Sequence, residues 1–263
     1  MSEAAVLVEV RDGVAWVTIN RPQAFNALDM ACARQLAEAA NRCGSDPAVR
    51  AVVLTGAGEK AFCAGGDVAA FASEPETVDL FLKEITGYLN LAVSRFAAMD
   101  APVIAAVNGI AAGAGLSLAA GCDLAIAAET ARFTSAYTQI GLSPDGGSTY
   151  FLSRLIGPRR AMELYLENPV LSASQALAWG IVNRVVPAED LVSEAGLLAA
   201  RLASGPTKAH GGVKRLLAMA TNDTLESQMA REARQIAELS RTADGLEGVA
   251  AFAAKRKPAF TGR

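Results

Sequence analysis

Residues 60–68 read Lys60-Ala61-Phe62-Cys63-Ala64-Gly65-Gly66-Asp67-Val68 and follow an apolar run, Ala51-Val52-Val53-Leu54, that has the character of a buried strand. The two glycines let backbone approach a ligand with no side chain in the way. A second stretch repeats the pattern. Residues 102–107 read as another buried strand and open into Asn108-Gly109-Ile110-Ala111-Ala112-Gly113-Ala114-Gly115, then into an apolar helix. Two strand ends with glycine-rich exits can aim two backbone N–H groups at one point, the arrangement that stabilises an oxyanion. Such a site asks nothing of side chains.

The flanking sequence sets these stretches in an α/β chain. Residues 6–10 and 14–20 alternate around Arg11-Asp12-Gly13, which predicts a hairpin. Helical spacing runs over 28–42 and 77–99, the second after a polar loop containing Ser73, Glu74, Pro75 and Glu76. A helix over about 112–120 and a strand over 123–127 follow. Strands separated by helices predict parallel βαβ units with buried strands. Ser172-Ala173-Ser174-Gln175 is a capping box for a helix ending near Gly180. Beyond Gly205 the chain reads as helices over 208–219, 223–239 and 241–254, so the expected organisation is a core over 1–204 and a helical region over 205–263.

Bulk composition excludes several classes. With 263 residues, 52% of them hydrophobic, the chain has enough apolar side chains for one substantial core. A net charge of −3 offers no basic surface, so no nucleic-acid partner is expected. Cys32, Cys43, Cys63 and Cys122 have no metal-ligand spacing and His210 is the single histidine, so neither a metal nor a disulfide is expected. The free thiols and the lack of an apolar leader fit a cytoplasmic protein. Residues 101–122 carry no charge and are long enough to span a bilayer, but Pro102, Asn108, Gly109, Gly113 and Gly115 punctuate them. A strand, a turn and a helix account for them better, and no membrane partner is expected.

Taken with Asn20-Arg21-Pro22-Gln23-Ala24-Phe25-Asn26-Ala27-Leu28, Gly180-Ile181-Val182-Asn183-Arg184 and the ending Glu247-Gly248 through Phe260, these stretches resemble the crotonase (enoyl-CoA hydratase/isomerase) superfamily, collinearly from about Val6 to Gly262. The motifs are nearest those of the phenylacetate-pathway and dienoyl- or enoyl-CoA isomerases. The resemblance implies a spiral of ββα units, a C-terminal helical region that packs trimers or dimers of trimers, and an acyl-CoA substrate with no separate cofactor. It implies oxyanion donors at the N–H groups of Gly66 and Ala114. It places CoA contacts at Ala24, Asn26, Ala64, Gly65, Asp67 and Val68, with Tyr137 near the acyl group and Lys255 or Lys257 near the phosphates.

The glycines at 113 and 115 also partly mimic a dinucleotide fingerprint, but Leu118 stands where the third glycine belongs. A glycine-rich helix-packing surface is the other reading that segment leaves open. The acids are more decisive. Hydratases of the resembled family hold a water between two glutamates, and the matching positions here are Ser117 and Tyr137. Neither is a carboxylate base at neutral pH. One acid remains nearby, in Gly141-Leu142-Ser143-Pro144-Asp145-Gly146-Gly147-Ser148. By itself P-D-G-G marks a turn, with Asp145 or Ser148 as a candidate helix cap. The isomerases carry their acid/base at this place, so the resemblance implies that Asp145 shuttles a proton during a double-bond shift in an enoyl-CoA. Ile140, Leu142 and Tyr150 are expected to bury it and raise its pKa. A hydratase-like enzyme with another base and a silent acyl-CoA binder are the alternatives. The aroyl-CoA dehalogenases use the same aspartate but need a histidine within 81–93, where none stands. His210 reads as a surface or cap residue.

Overall fold

The computed structural model describes residues 4–72 and 76–263. The polar loop expected before the long helix falls largely on residues 73–75, outside the described residues.

Strands β1 (Val6–Arg11) and β2 (Val14–Ile19) form the expected antiparallel hairpin, closed by Asp12 and Gly13 at φ of 49° and 79°. From β2 the sheet continues in parallel through β3 (Ala51–Gly56), which lies beside β5 (Val103–Val107) and then β7 (Leu124–Ala128). Each strand between them is unexposed on both faces, and period 2 sorts its side chains into two cores. Val52, Leu54, Val103, Ala105 and Val107 face one cluster, together with Leu36 and Ala40 of α1 (Met30–Ser45) and Leu89 and Phe96 of α3 (Val78–Ala98). Val53, Ile104, Ala106 and Ile126 face the other, against Leu191, Ala195 and Leu198 of α7 (Leu191–Ala203). The many alanines allow helices to close on both faces of the sheet.

A second, smaller sheet is the part that hydrophobic patterning alone does not predict. Strands β4 (Ala61–Cys63), β6 (Ile110–Ala112), β8 (Arg132–Thr134) and β9 (Leu171–Ser172) line up in that order. The chain sends β3, β5 and β7 to the large sheet and β4, β6 and β8 to the small one, so each turn of the spiral contributes to both. This mixed α/β architecture, dominated by parallel pairing, is the spiral that the resemblance implies. Strand β10 (Arg184–Val186) closes the large sheet against β7.

The expected helix at 112–120 starts later, as α4 (Ala114–Ala120), because Gly113 holds φ 51° and ψ −123°, outside the helical region. Residues 101–122 are thus β5, β6 and α4, and among the described residues no helix is long and apolar enough to cross a membrane. A short helix α2 (Val68–Ala72) precedes α3. Helix α5 (Ser148–Glu167) bends at Gly157-Pro158, and α6 (Ala173–Trp179) carries the predicted capping box and ends on Gly180 at φ 85°.

Three helices follow, α8 (Thr207–Met219), α9 (Leu225–Leu239) and α10 (Ala243–Ala253). Lys214 of α8 reaches Asp123 at 2.7 Å and donates to the carbonyls of Phe96 and Ala101, tying this region to the core. Arg50 donates to the carbonyls of Gly205 and Phe260. His210 lies in the first turns of α8 and is not its cap. It is half-buried with Nδ1 unpartnered among the described residues, and burial with nearby Arg50 lowers its pKa.

Candidate active site

The two glycine-rich stretches meet. Leu28 N–H donates to the Gly65 carbonyl at 2.7 Å, and Asp67 N–H donates to the Leu28 carbonyl at 2.9 Å, forming a parallel bridge with Gly66 opposite Leu28. In such a bridge the residue between the two bonds turns its own N–H to the other side. Gly66 N–H therefore points away from Leu28, and among the described residues it has no acceptor. Ala114 opens α4, so its N–H has no carbonyl one turn earlier to bond. The two loops touch: a Cβ on Gly65 would lie 3.6 Å from Ala114 N and 3.1 Å from the Ala112 carbonyl oxygen. Two free backbone donors thus stand on adjoining segments.

Arg21 holds the first of these loops. Its Nη2 lies 3.0 Å from Asp67 Oδ2 and 3.0 Å from Asp29 Oδ2, and Nη1 donates to the Ala27 carbonyl. Asp29 in turn caps α1 by accepting from Cys32 N–H at 2.8 Å. The loop carrying Gly66 is therefore fastened to the start of α1 through one guanidinium. The motif Asn20-Arg21-Pro22 contains this residue, but sequence alone does not show that it reaches Asp67.

Gly66, Ala114 and Asp145 line one cavity of about 490 Å³. Its other walls include Phe71 of α2, Leu82, Ile85 and Leu89 of α3, and Ile140 and Leu142. The helical spacing of residues 82, 85 and 89 was legible; that this stripe faces a ligand space as well as the core was not. Asp79 and Lys83 also contribute to the wall, but both are well exposed and they pair with each other at 3.3 Å.

Asp145 is held by a tyrosine. Tyr137 Oη donates to Asp145 Oδ1 at 2.5 Å, and Ser117 Oγ lies 3.1 Å from Tyr137 Oη. Burial raises the Asp145 pKa; the bonds from Tyr137 and from its own backbone N–H oppose the rise without cancelling it. Burial also drives the Tyr137 pKa strongly upward, with the Asp145 charge adding to it, so the phenol remains a neutral donor. The capping role open to Asp145 or Ser148 is absent, since Gly147, at φ 71°, occupies the cap of α5 with no side-chain bond. Tyr150 does not line the cavity. Its hydroxyl donates to the Ala218 carbonyl on α8 at 3.0 Å.

The remaining expected contacts divide. Ala64, Gly65, Val68 and Tyr137 line the cavity. Asp67 is bound to Arg21. Asn26 is fully buried, its Nδ2 donating to the carbonyls of Ala57 and Ala61 and its Oδ1 accepting from Arg21 N–H, so its side chain is a strut between these loops. Ala24 sits in a short helical turn off the cavity wall. Lys255 is exposed beyond the end of α10, also off that wall. No group of three or more potential metal ligands occurs among the described residues.

Comparison with known proteins places this geometry. Residues 9–263 match the enoyl-CoA hydratase/isomerase family. The chain is 42% identical over 260 residues to the 1,2-epoxyphenylacetyl-CoA isomerase of Escherichia coli, covering 98% of each chain. It is 35% identical to the 4-chlorobenzoyl coenzyme A dehalogenase-2 of an Arthrobacter species, over 89% of this chain and 85% of that one. Among solved structures, an enoyl-CoA hydratase from Polaromonas superposes with a TM-score of 0.92 at 34% identity, covering 97% of this chain and 99% of the other. The names of these relatives give three different reactions.

Proposed function

The chain belongs to the enoyl-CoA hydratase/isomerase family and is an enzyme of that family, and we propose that within it the reaction is isomerisation: a double-bond shift in an enoyl-CoA through a thioester enolate. The observation that carries this reading is that one carboxylate, Asp145, is held in the cavity by Tyr137, while Asp67 is bound to Arg21 and Asp79 pairs with Lys83. Asp145 lies beside Tyr137 and Ser117, neither of which can act as a second carboxylate. A hydration needs a water held and activated between acids. A 1,3-proton shift needs only one base used twice.

In this mechanism the thioester oxygen lies between the N–H groups of Gly66 and Ala114. Asp145 takes a proton from C2 of a 3-enoyl thioester, and charge collects on that oxygen. The proton then returns at C4. Each backbone donor of this kind is worth about 2.7–4 kcal/mol, and positioned base catalysis adds roughly 10²–10⁴ in rate. The raised pKa of Asp145 makes it a stronger base than an exposed aspartate. The apolar walls suit a hydrocarbon acyl group.

We further infer that the acyl-CoA enzyme works as a trimer or a dimer of trimers. Supporting this, Ile236 on α9 and Leu246, Val249 and Phe252 on α10 are exposed, Phe252 to 89%. An apolar face of this kind on a soluble chain calls for a covering partner.

The deciding experiment compares the wild type with Asp145→Asn on a 3-enoyl-CoA and on crotonyl-CoA. Wild-type isomerisation should far exceed hydration of crotonyl-CoA. Asp145→Asn should lose isomerisation by a factor on the order of 10² or more while still binding acyl-CoA. Hydration as fast as isomerisation, or a fully active Asn variant, sinks the reading.

A further inference from the structure

Around Asp145 the hydrogen bonds have a direction. Ser117 Oγ stands 3.1 Å from Tyr137 Oη, 3.1 Å from the Asp145 carbonyl oxygen and 3.2 Å from the Gly113 carbonyl oxygen. Tyr137 has one hydroxyl proton, and it goes to Asp145 Oδ1. Ser117 likewise has one hydroxyl proton, with two carbonyl oxygens and the phenol oxygen within its reach, and its Oγ packs against Tyr137 Oη. The directed bond runs from Tyr137 to Asp145 Oδ1, and among the described residues no side chain donates to Oδ2.

We propose that Tyr137 is a positioning residue that commits Asp145 to react through a single carboxylate oxygen, Oδ2, with Ser117 holding the phenol in line. The inference rests on the isomerase reading. A free carboxylate turns about its last torsion and offers either oxygen. Here a turn would break a short bond between a phenol and a carboxylate, the stronger class of hydrogen bond. Ser117 is fully buried on α4, the helix that also begins with Ala114. The base and one oxyanion donor thus share a support.

The proton balance is complete on one oxygen. The C2–H bond breaks, its electron pair enters the dienolate, and an Oδ2–H bond forms. The thioester C=O then re-forms, the double bond settles between C2 and C3, and the Oδ2 proton is delivered to C4. Asp145 ends as the carboxylate it began as. Throughout, Tyr137 keeps its own proton and Oδ1 keeps its donor.

A donor to the ionised carboxylate favours that form, so Tyr137 works against the burial that raises the Asp145 pKa. The other titratable groups around it do not take over this task. The Cys63 thiol on β4 is pushed up to about 12 and stays neutral. Tyr165 of α5 donates to Ser148, and Asp79 and Lys83 of α3 pair with each other.

The test is the pH profile of kcat/KM for a 3-enoyl-CoA in wild type, Tyr137→Phe and Ser117→Ala, with Asp145→Asn alongside. Phenylalanine keeps the ring and removes the donor, so the acidic limb should move up by about one pH unit. Ser117→Ala should move it the same way by less. A purely structural tyrosine would lower thermal stability in Tyr137→Phe and leave the limb in place, which overturns the inference. Should the Phe variant fail to fold, the limb in Ser117→Ala decides. An active Asp145→Asn variant strikes down the isomerase reading itself, whereas an inactive one with unmoved limbs in the other two removes only the role given to Tyr137.

Discussion

Gly115 lies so close to Cys63 that a Cβ on it would come within 1.9 Å of the Cys63 carbonyl oxygen. Cys63 ends β4, three residues before Gly66, and Gly115 directly follows Ala114. The contact therefore sets the separation of the two candidate oxyanion donors. Glycine is required here for space.

Gly115→Ala should accordingly force α4 away from β4. Overpacking of this sort costs about 1–3 kcal/mol, so the melting temperature should fall by several degrees. Turnover should fall at least tenfold, because a donor displaced by even part of an ångström loses its grip on the enolate oxygen. Thermal unfolding and kcat on a 3-enoyl-CoA check both. A variant with wild-type turnover would show that the spacing of Gly66 and Ala114 is not critical.

The sequence was most legible where local chemistry acts alone. The capping box at Ser172 and Gln175 forms as read, and Gly180 ends the helix in the left-handed region. The apolar strands at 51–56 and 103–107 form because burial on both faces selects them. Strands of two or three residues such as β4, β8 and β9 carry no periodicity to detect, since pairing with distant neighbours makes them. The same limit applies to the site. Gly66, Ala114 and Asp145 stand in recognisable motifs, and they come together on one cavity. That Asn26 turns inward to bond Ala57 and Ala61, and that Tyr137 spends its hydroxyl on Asp145, depend on side-chain directions that tertiary packing sets.

Arg21 is the residue whose importance the motif least advertises. Its guanidinium joins Asp67 and Asp29, and its side chain is only 16% exposed. Arg21→Gln should free the loop that carries Gly66. Breaking a fully buried ion pair costs roughly 3–5 kcal/mol; partial exposure here reduces the expected loss to about 1–3 kcal/mol. Turnover should fall more than acyl-CoA affinity does. Asp67→Asn should resemble it, and the double variant should be little worse than either alone. Fully additive losses in that cycle would mean that Arg21 and Asp67 act separately.

The pH dependence of stability separates the two consequences of burying Asp145. Its folded-state pKa lies above the ordinary carboxylate value because burial penalises the charge. Folded protein thus holds this proton more tightly than unfolded chain. The associated stability is fully present below the unfolded pKa, about 4, and is lost as pH rises through the folded value. Asparagine never ionises and can still accept from Tyr137 through its carbonyl oxygen. Asp145→Asn should therefore match or exceed wild type in melting temperature at pH 7–8, with the gap closing toward pH 4, while remaining inactive throughout. Thermal melts across that range provide the measurement. A variant less stable than wild type at pH 7–8 would show that Tyr137 and the Asp145 backbone N–H stabilise the carboxylate by more than burial costs it, and the base would then be a weaker one than its burial implies.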